Sequence, residues 1–227
     1  MKTYKIITSV LQRLSWVPTR LTFNYFCNFK FAGVENIKTR ENVIFARNHI
    51  GDLDPILIVA AIPFFSRHLP LFYTSRKKDF YKNKKWLKKI IYGGKLFKAF
   101  SAYQVHVGLK NYDLPLKNHH KILEDKGSVC IFPEGRKDLG DKTIKARGGV
   151  SFLSHKAQLP IIPVLIQDAH LLTVNDFISR KRKVKVIFGN PFYTKDIFKN
   201  KEIILNDPQN DHEIIASIIM EKIMQLR

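Results

Sequence analysis

An α/β fold, with a mostly parallel or mixed central sheet flanked by helices, is predicted by three observations. Short apolar runs of strand length alternate with amphipathic stretches of helix length. Two of those runs end abruptly in polar turns, Asn48–Asp54 and Pro133–Arg136, as strands do at the carboxyl edge of an α/β sheet. Finally, the 227 residues are 45% apolar, which supplies one substantial core and leaves room for a small appendage.

The elements follow in order. Over residues 3–14, Ile6, Ile7, Val10, Leu11 and Leu14 share one helical face, with Lys5, Ser9, Gln12 and Arg13 elsewhere. Trp16-Val17-Pro18 is expected to break this helix, because proline lacks the amide that the turn needs. Leu21, Phe23, Tyr25, Phe26 and Phe29 follow, interleaved with Arg20 and Lys30. An amphipathic helix with aromatic and basic residues is what a membrane-surface anchor requires. Residues 1–28 are therefore read as a membrane-associating segment and 29–227 as the main domain; packing of this segment on the protein's own core is the alternative. Strands are expected at Phe29–Val34 and Asn42–Ala46. A helix from Pro55 to about Pro63 follows, then strands at Leu69–Thr74 and Ala102–Val107. A helix over His119–Asp125 ends at Gly127, before a buried strand, Ser128–Phe132. Lys145–Gly149 opens a helix running to about Ala157. Leu159–Ile166 and Val184–Phe188 complete the strands. The last helix begins at Asn210, with Glu213 three residues on in the manner of a capping box.

Net charge is +20, with 39 Lys and Arg against 19 Asp and Glu. Such an excess concerns partners: nucleic acid, an anionic membrane or an acidic carrier protein. Its densest stretch runs from Arg76 to Lys98, with Phe80, Tyr81, Trp86, Tyr92 and Phe97 among the lysines. No nucleic-acid-binding signature accompanies it, so nucleic acid is not expected as a partner. Cys27 and Cys130 form no metal-type pair, and their number suits a reducing compartment. No run reaches the ~18 apolar residues of a spanning helix. The expectation is a peripheral protein at the cytoplasmic face of a membrane. His119 and His120 are adjacent and lack metal-ligand spacing, so both are expected at the surface.

The chemistry concentrates in Asn48–Asp54. His49 and Asp54 are five positions apart, about 500° of rotation on a continuous helix at ~100° per residue, and would not meet there. A turn through Gly51 lets them converge, with His49 ending a strand and Asp54 capping the helix at Pro55. An imidazole held by a carboxylate is a general base with its tautomer fixed. Read alone, the same residues also fit a helix cap beside an ordinary turn histidine.

Taken together the motifs resemble the PlsC-like glycerolipid acyltransferase family, of the 1-acylglycerol-3-phosphate acyltransferase type. Asn48, His49 and Asp54 match its Asn-His-four-residues-Asp motif. Phe132, Pro133, Glu134 and Gly135 match its Phe-Pro-Glu-Gly motif. Leu159, Pro160, Ile161, Ile162 and Pro163 match its apolar-Pro-apolar-apolar-Pro motif. The likeness covers about residues 30–190, in the family's order. It implies transfer of a fatty acyl group from acyl-CoA or acyl-carrier protein to a lysophospholipid hydroxyl, without cofactor or metal. The implied acceptor is 1-acylglycerol-3-phosphate and the product phosphatidic acid, in phospholipid biosynthesis. The alternatives are another lyso-lipid acceptor, an aminolipid or glycolipid, and, disfavoured by the presence of His49, Asp54 and Glu134, a non-catalytic basic protein that binds membrane or nucleic acid.

The resemblance makes His49 the base and Asp54 its partner, in preference to Asp52. It assigns Glu134, Gly135 and Arg136 to the acceptor pocket, with Asn48, Phe132, Pro133, Pro160, Ile161 and Pro163 supporting the motifs. A backbone amide near Ile161 or Ile162 is the expected oxyanion donor. One motif departs: the family places Gly and Arg where this chain has Ser101 and Val107, and that Arg helps to bind the glycerol-phosphate head. Either Arg136, Lys145 or Arg147 takes over that task, or the acceptor carries no phosphate. His106, in the same motif, is a lesser candidate for substrate contact.

Overall fold

A computed structural model describes residues 3–51, 53–75, 100–105, 111–135, 146–170, 172–200 and 207–227. Asp52, the basic stretch from Arg76 to Lys98, His106, Val107, Arg136 and Lys145 lie outside the described residues.

Strands β1 (Lys30–Ala32), β2 (Ile44–Arg47), β3 (Leu71–Ser75), β4 (Ala102–Gln104), β5 (Ser128–Ile131), β6 (Ile161–Gln167) and β7 (Lys185–Phe188) form one sheet. Its order is β1-β7-β6-β2-β5-β3-β4, with β6 and β7 antiparallel and every other neighbouring pair parallel. Each strand overlaps a stretch that the sequence marks as a strand, with β2, β3 and β6 each ending one residue beyond it. Alternation then builds a core on each face, because successive side chains of a strand point to opposite sides. Val43, Phe45, Tyr73, Cys130, Ile162 and Val164 join one apolar cluster; Ile44, Ala46, Phe72, Val129, Ile161 and Leu165 join the other.

Helices α1 (Thr3–Cys27), α2 (Asp54–Ala61) and α5 (Val174–Ser179) lie on the first face. Helices α3 (Asp113–Glu124), α4 (Gly149–Ala157), α6 (Thr194–Asn200) and α7 (Pro208–Met224) contribute to the second. The expected break at Pro18 does not occur, and α1 runs straight through it. Contacts on both sides of Pro18 outweigh the missing helix hydrogen bond. Before it, Gln12 Nε2 donates to the Leu71 carbonyl at 2.7 Å and Gln12 Oε1 accepts the Leu71 amide at 2.8 Å. The Trp16 indole donates to the Ile62 carbonyl at 2.8 Å, and beyond the proline Phe23 and Cys27 are buried.

Before Pro18 the packed side of α1 is the reverse of what an amphipathic core helix would show. Lys5, Thr8 and Gln12 are buried, while Ile6, Ile7, Val10, Leu14, Val17 and Leu21 are exposed.

Three further expectations are corrected. Helix α7 begins at Pro208, not Asn210: the Asp207 carboxylate caps it by accepting the Asn210 amide, while Glu213 turns inward towards Arg147. His119 is fully buried rather than at the surface, its Nε2 3.2 Å from the Tyr73 carbonyl. Burial holds its ring neutral, with a pKa lowered to about 4. The helix before β5 runs from Asp113 to Glu124, starting six residues before the expected His119, and Lys126 takes the left-handed conformation that leads into Gly127.

Gly189 answers a close approach. A β-carbon there would lie 2.7 Å from the ring of Pro163, whose carbonyl accepts the Gly189 amide at 2.8 Å.

Candidate active site

β2 and β5 are parallel neighbours, with Ala46 opposite Ile131. The turns that follow them, Asn48–Asp54 and Phe132–Gly135, therefore emerge side by side at the carboxyl edge of the sheet.

Asn48 extends the β2–β6 ladder with its side chain. Its Nδ2 donates to the Ile166 carbonyl and its Oδ1 accepts the Ile166 amide, both at 2.9 Å. Only a carboxamide supplies that donor–acceptor pair at this length. The chain then turns, and Asp54 comes round to His49, with Nδ1 2.8 Å from Asp54 Oδ2. Asp54 does not cap α2; Leu53 stands at that position, without a side-chain cap. Asp54 Oδ2 instead accepts the Ile50 amide at 2.8 Å and the Gly51 amide at 3.0 Å, tightening the turn that carries His49.

Burial alone would raise the Asp54 pKa, but the Arg47 charge, the His49 N–H and the Gly51 amide more than offset it and hold the carboxyl below its ordinary value. An ionised carboxylate only accepts, so His49 carries its proton on Nδ1 and its lone pair on Nε2. The imidazole retains 19% side-chain exposure and lies over the Phe132 ring, centroids 4.3 Å apart.

Arg47 completes the turn and was not singled out in the sequence. It is wholly buried, with Nη2 2.6 Å from Asp54 Oδ2. An arginine at the end of the run Val43–Ala46 reads as the first exposed residue after a strand. The signal that would have found it is the carboxylate seven residues on, which a buried guanidinium requires.

Across the sheet edge, Glu134 Oε2 accepts the His49 amide at 2.9 Å, so the two turns are joined directly. Gly135 has φ 63°, the left-handed conformation that lets the chain reverse there, and its amide donates to the Phe132 carbonyl at 3.0 Å. The Arg147 amide donates to the Pro133 carbonyl at 2.7 Å, which brings Arg147 beside this turn. Its side chain is 69% exposed and only loosely paired with Glu213, at 3.9 Å.

The structure thus gathers Asn48, His49, Asp54, Phe132, Pro133, Glu134, Gly135 and Arg147. It does not bring the segment from Pro160 to Pro163 to the dyad. Ile161 pairs with Ile44, at the start of β2, five residues from His49 and roughly 16 Å at ~3.3 Å per residue. The Ile161 amide donates to the Phe192 carbonyl at 2.8 Å. The expected oxyanion donor at Ile161 or Ile162 is therefore withdrawn, and Pro160, Ile161 and Pro163 shape the far end of the sheet. Among the described residues, no three His, Cys, Asp or Glu side chains converge to hold a metal ion.

The family described as Acyltransferase matches residues 28–167, more than half of the chain. Over 193 residues the sequence is 23% identical to a Mycoplasma pneumoniae protein named "Probable 1-acyl-sn-glycerol-3-phosphate acyltransferase", covering 84% of this chain and 68% of that one. The fold is similar to the crystal structure of the 1-acyl-sn-glycerophosphate (LPA) acyltransferase PlsC from Thermotoga maritima. The TM-score is 0.63 at 15% identity, over 100% of this chain and 83% of the other, a likeness of fold alone.

Proposed function

Given that the chain belongs to the acyltransferase family, we propose that it moves a fatty acyl group from a thioester to the hydroxyl of 1-acylglycerol-3-phosphate, giving phosphatidic acid. The observation that carries this reading is the His49–Asp54 pair at 2.8 Å, joined through the His49 amide to Glu134.

An alcohol about as weakly acidic as water, pKa ~16, is a poor nucleophile at neutral pH. His49 Nε2 takes the hydroxyl proton while the oxygen attacks the thioester carbonyl. A tetrahedral intermediate forms directly, without an acyl-enzyme, as Asp54 stabilises the imidazolium. Collapse breaks the carbon–sulfur bond, the thiolate leaves with the electron pair, and the imidazolium returns the proton to sulfur. Such a base contributes ~10²–10⁴-fold. Phe132 fixes the ring plane, and Glu134 fixes the backbone beneath it.

Arg147 supports a phosphate-bearing acceptor. It is an exposed cation beside Gly135, and its planar fork suits phosphate oxygens. Arg136 and Lys145 are proposed as its companions from their place in the sequence. Acyl-CoA and acyl-carrier protein, both anionic, each suit a chain of net charge +20 as donor. The test is acyl transfer by the purified protein to a panel of lysolipids. Preference for lysophosphatidic acid is expected; preference for a phosphate-free acceptor overturns the acceptor assignment.

The same reading places the protein peripherally on the cytoplasmic face of a membrane, with residues 1–28 as its contact segment. Ile7, Val10, Leu14, Val17 and Leu21 recur at intervals of three and four and are exposed on α1. Phe65, 90% exposed, adds to this surface beside Phe64, which packs edge-on against Trp16. Among the described residues, no helix is long and apolar enough to cross a membrane. An anionic bilayer matches both the apolar stripe and the positive charge. Leu14→Glu with Leu21→Glu is expected to abolish sedimentation with phosphatidylglycerol vesicles while the circular dichroism spectrum stays unchanged; undiminished binding refutes the placement.

A further inference from the structure

Arg47 has no role in the family motif or in the mechanism above. We infer that Arg47 is a positioning residue for acyl transfer: its buried guanidinium clamps both ends of the Asn48–Asp54 turn and keeps Asp54 charged and in register with His49. This inference rests on the reading of His49 as the base.

The geometry uses each side of the guanidinium. Nε donates to the Asn48 carbonyl at 3.0 Å, where the turn begins. Nη1 donates to the Asp54 carbonyl at 2.6 Å, where the turn ends. Nη2 stands 2.6 Å from the Asp54 carboxylate. The guanidinium also sits 4.9 Å from the centroid of the Phe132 ring, the ring that His49 stacks upon. One planar group therefore touches the start, the end and the carboxylate of the turn, together with the platform of the imidazole. A lysine supplies the charge but cannot span three acceptors in one plane.

The charge has a further effect on His49. Asp54 shares its negative charge between the imidazole and Arg47, so the imidazolium is stabilised less than by a lone carboxylate. Without Arg47 the whole carboxylate charge would face the imidazolium and hold its proton more tightly. Among the described residues, the other ionisable groups around this turn are Glu134, which accepts the His49 amide, and the buried Cys130 and Tyr73. Burial raises the pKa of both Cys130 and Tyr73, so they stay neutral and do not compete for that proton.

The experiment compares wild type, Arg47→Lys, Arg47→Met and His49→Ala. The pH profile of kcat/KM is measured in detergent micelles with an acyl thioester and lysophosphatidic acid, alongside circular dichroism and Tm. Arg47→Met is expected to move the acid limb upward by about one pH unit, a roughly tenfold lower kcat/KM on that limb, with the loss in kcat rather than KM. Arg47→Lys is expected to keep the limb in place and to recover part of kcat. A merely structural arginine changes Tm and leaves the limb unmoved, which overturns the proposal. Where Arg47→Met does not fold, Arg47→Lys decides: a wild-type kcat overturns the clamp, and a kcat about tenfold lower with an unmoved limb supports it. An active His49→Ala overturns the base reading and the clamp together. An inactive His49→Ala beside unaffected Arg47 variants overturns the clamp alone.

Discussion

Replacing Asp54 by Asn separates the electrostatics of the site from its shape. Asp54 Oδ2 serves four partners: the His49 ring at 2.8 Å, the Ile50 and Gly51 amides at 2.8 and 3.0 Å, and the Arg47 guanidinium at 2.6 Å. A carboxamide of the same size still offers one oxygen to the two backbone amides. That oxygen can also accept the His49 Nδ1–H, but it carries no charge, so the imidazolium loses the anion that stabilises it. Activity is expected to fall ~10²–10⁴-fold, the whole contribution of a working base. Stability falls as well, because Arg47 is completely buried and loses its counter-charge; breaking such a pair costs about 3–5 kcal/mol. Adding Arg47→Met to Asp54→Asn should recover much of that stability and none of the activity. The carboxyl pKa is depressed in the native state. Its contribution is therefore full above the unfolded carboxyl value, ~3.9, and is lost as pH falls towards the native value. The deficit of Asp54→Asn should accordingly shrink below about pH 4. Urea titrations at several pH values and an acyl-transfer assay measure both halves. An Asp54→Asn enzyme with kcat within tenfold of wild type refutes the reasoning.

Other sites make independent tests. His119 and His212 are buried and held neutral, each with a pKa lowered to about 4, mainly by burial. The unfolded chain protonates near ~6.5, so stability is level above that pH and declines between it and about 4. At pH 5 the loss is about 2 kcal/mol for each histidine, and His212→Asn should flatten the decline in urea titrations at pH 7.5 and 5.0. Asn48→Ala leaves the Ile166 amide and carbonyl without their side-chain partner, a loss of about 2–4 kcal/mol at ~1–2 per group; a change below 1 kcal/mol in chemical denaturation would show the rung to be dispensable. Gly189→Ala drives a methyl to 2.7 Å from the Pro163 ring and 3.0 Å from Leu226, and should cost about 1–3 kcal/mol by the same measurement, with the acyl-transfer rate unchanged.

Strands and the dyad were legible in the sequence because their signals are local. A four- to eight-residue apolar run bounded by turns states its own conformation, and His49 and Asp54 require only the turn at Gly51 to meet. What was not legible depends on partners distant in the chain. Pro18 breaks a helix in isolation, yet Gln12 and Trp16 hold α1 in place through contacts to Leu71 and Ile62. His119 looks like a surface residue on a lysine-bearing helix until β3 is laid beside it. Arg47 follows four apolar residues and is buried only because Asp54 folds back over it. The segment from Pro160 to Pro163 carries a family motif but lies at the other end of β6, a fact that only the parallel register with β2 reveals. Helix α5 escaped notice although its capping box, Thr173 with Asp176, is written plainly in the sequence.

The bond between the His49 amide and the Glu134 carboxylate spans 85 positions of sequence yet a single step of the sheet. The intervening chain is an excursion whose two ends are fixed by β2 and β5. Doubling the length of such a loop costs only about 0.6 kcal/mol in closure entropy. That excursion carries Asp54, α2, β3, β4 and α3, so insertions and deletions leave the relation of the two turns intact only where they fall between those elements. A single residue added inside β5 acts differently, since it would turn every following side chain, Glu134 included, to the opposite face. Length is thus free to vary in the connections between these elements, while the count of residues is fixed within the strands, the helices and the two turns.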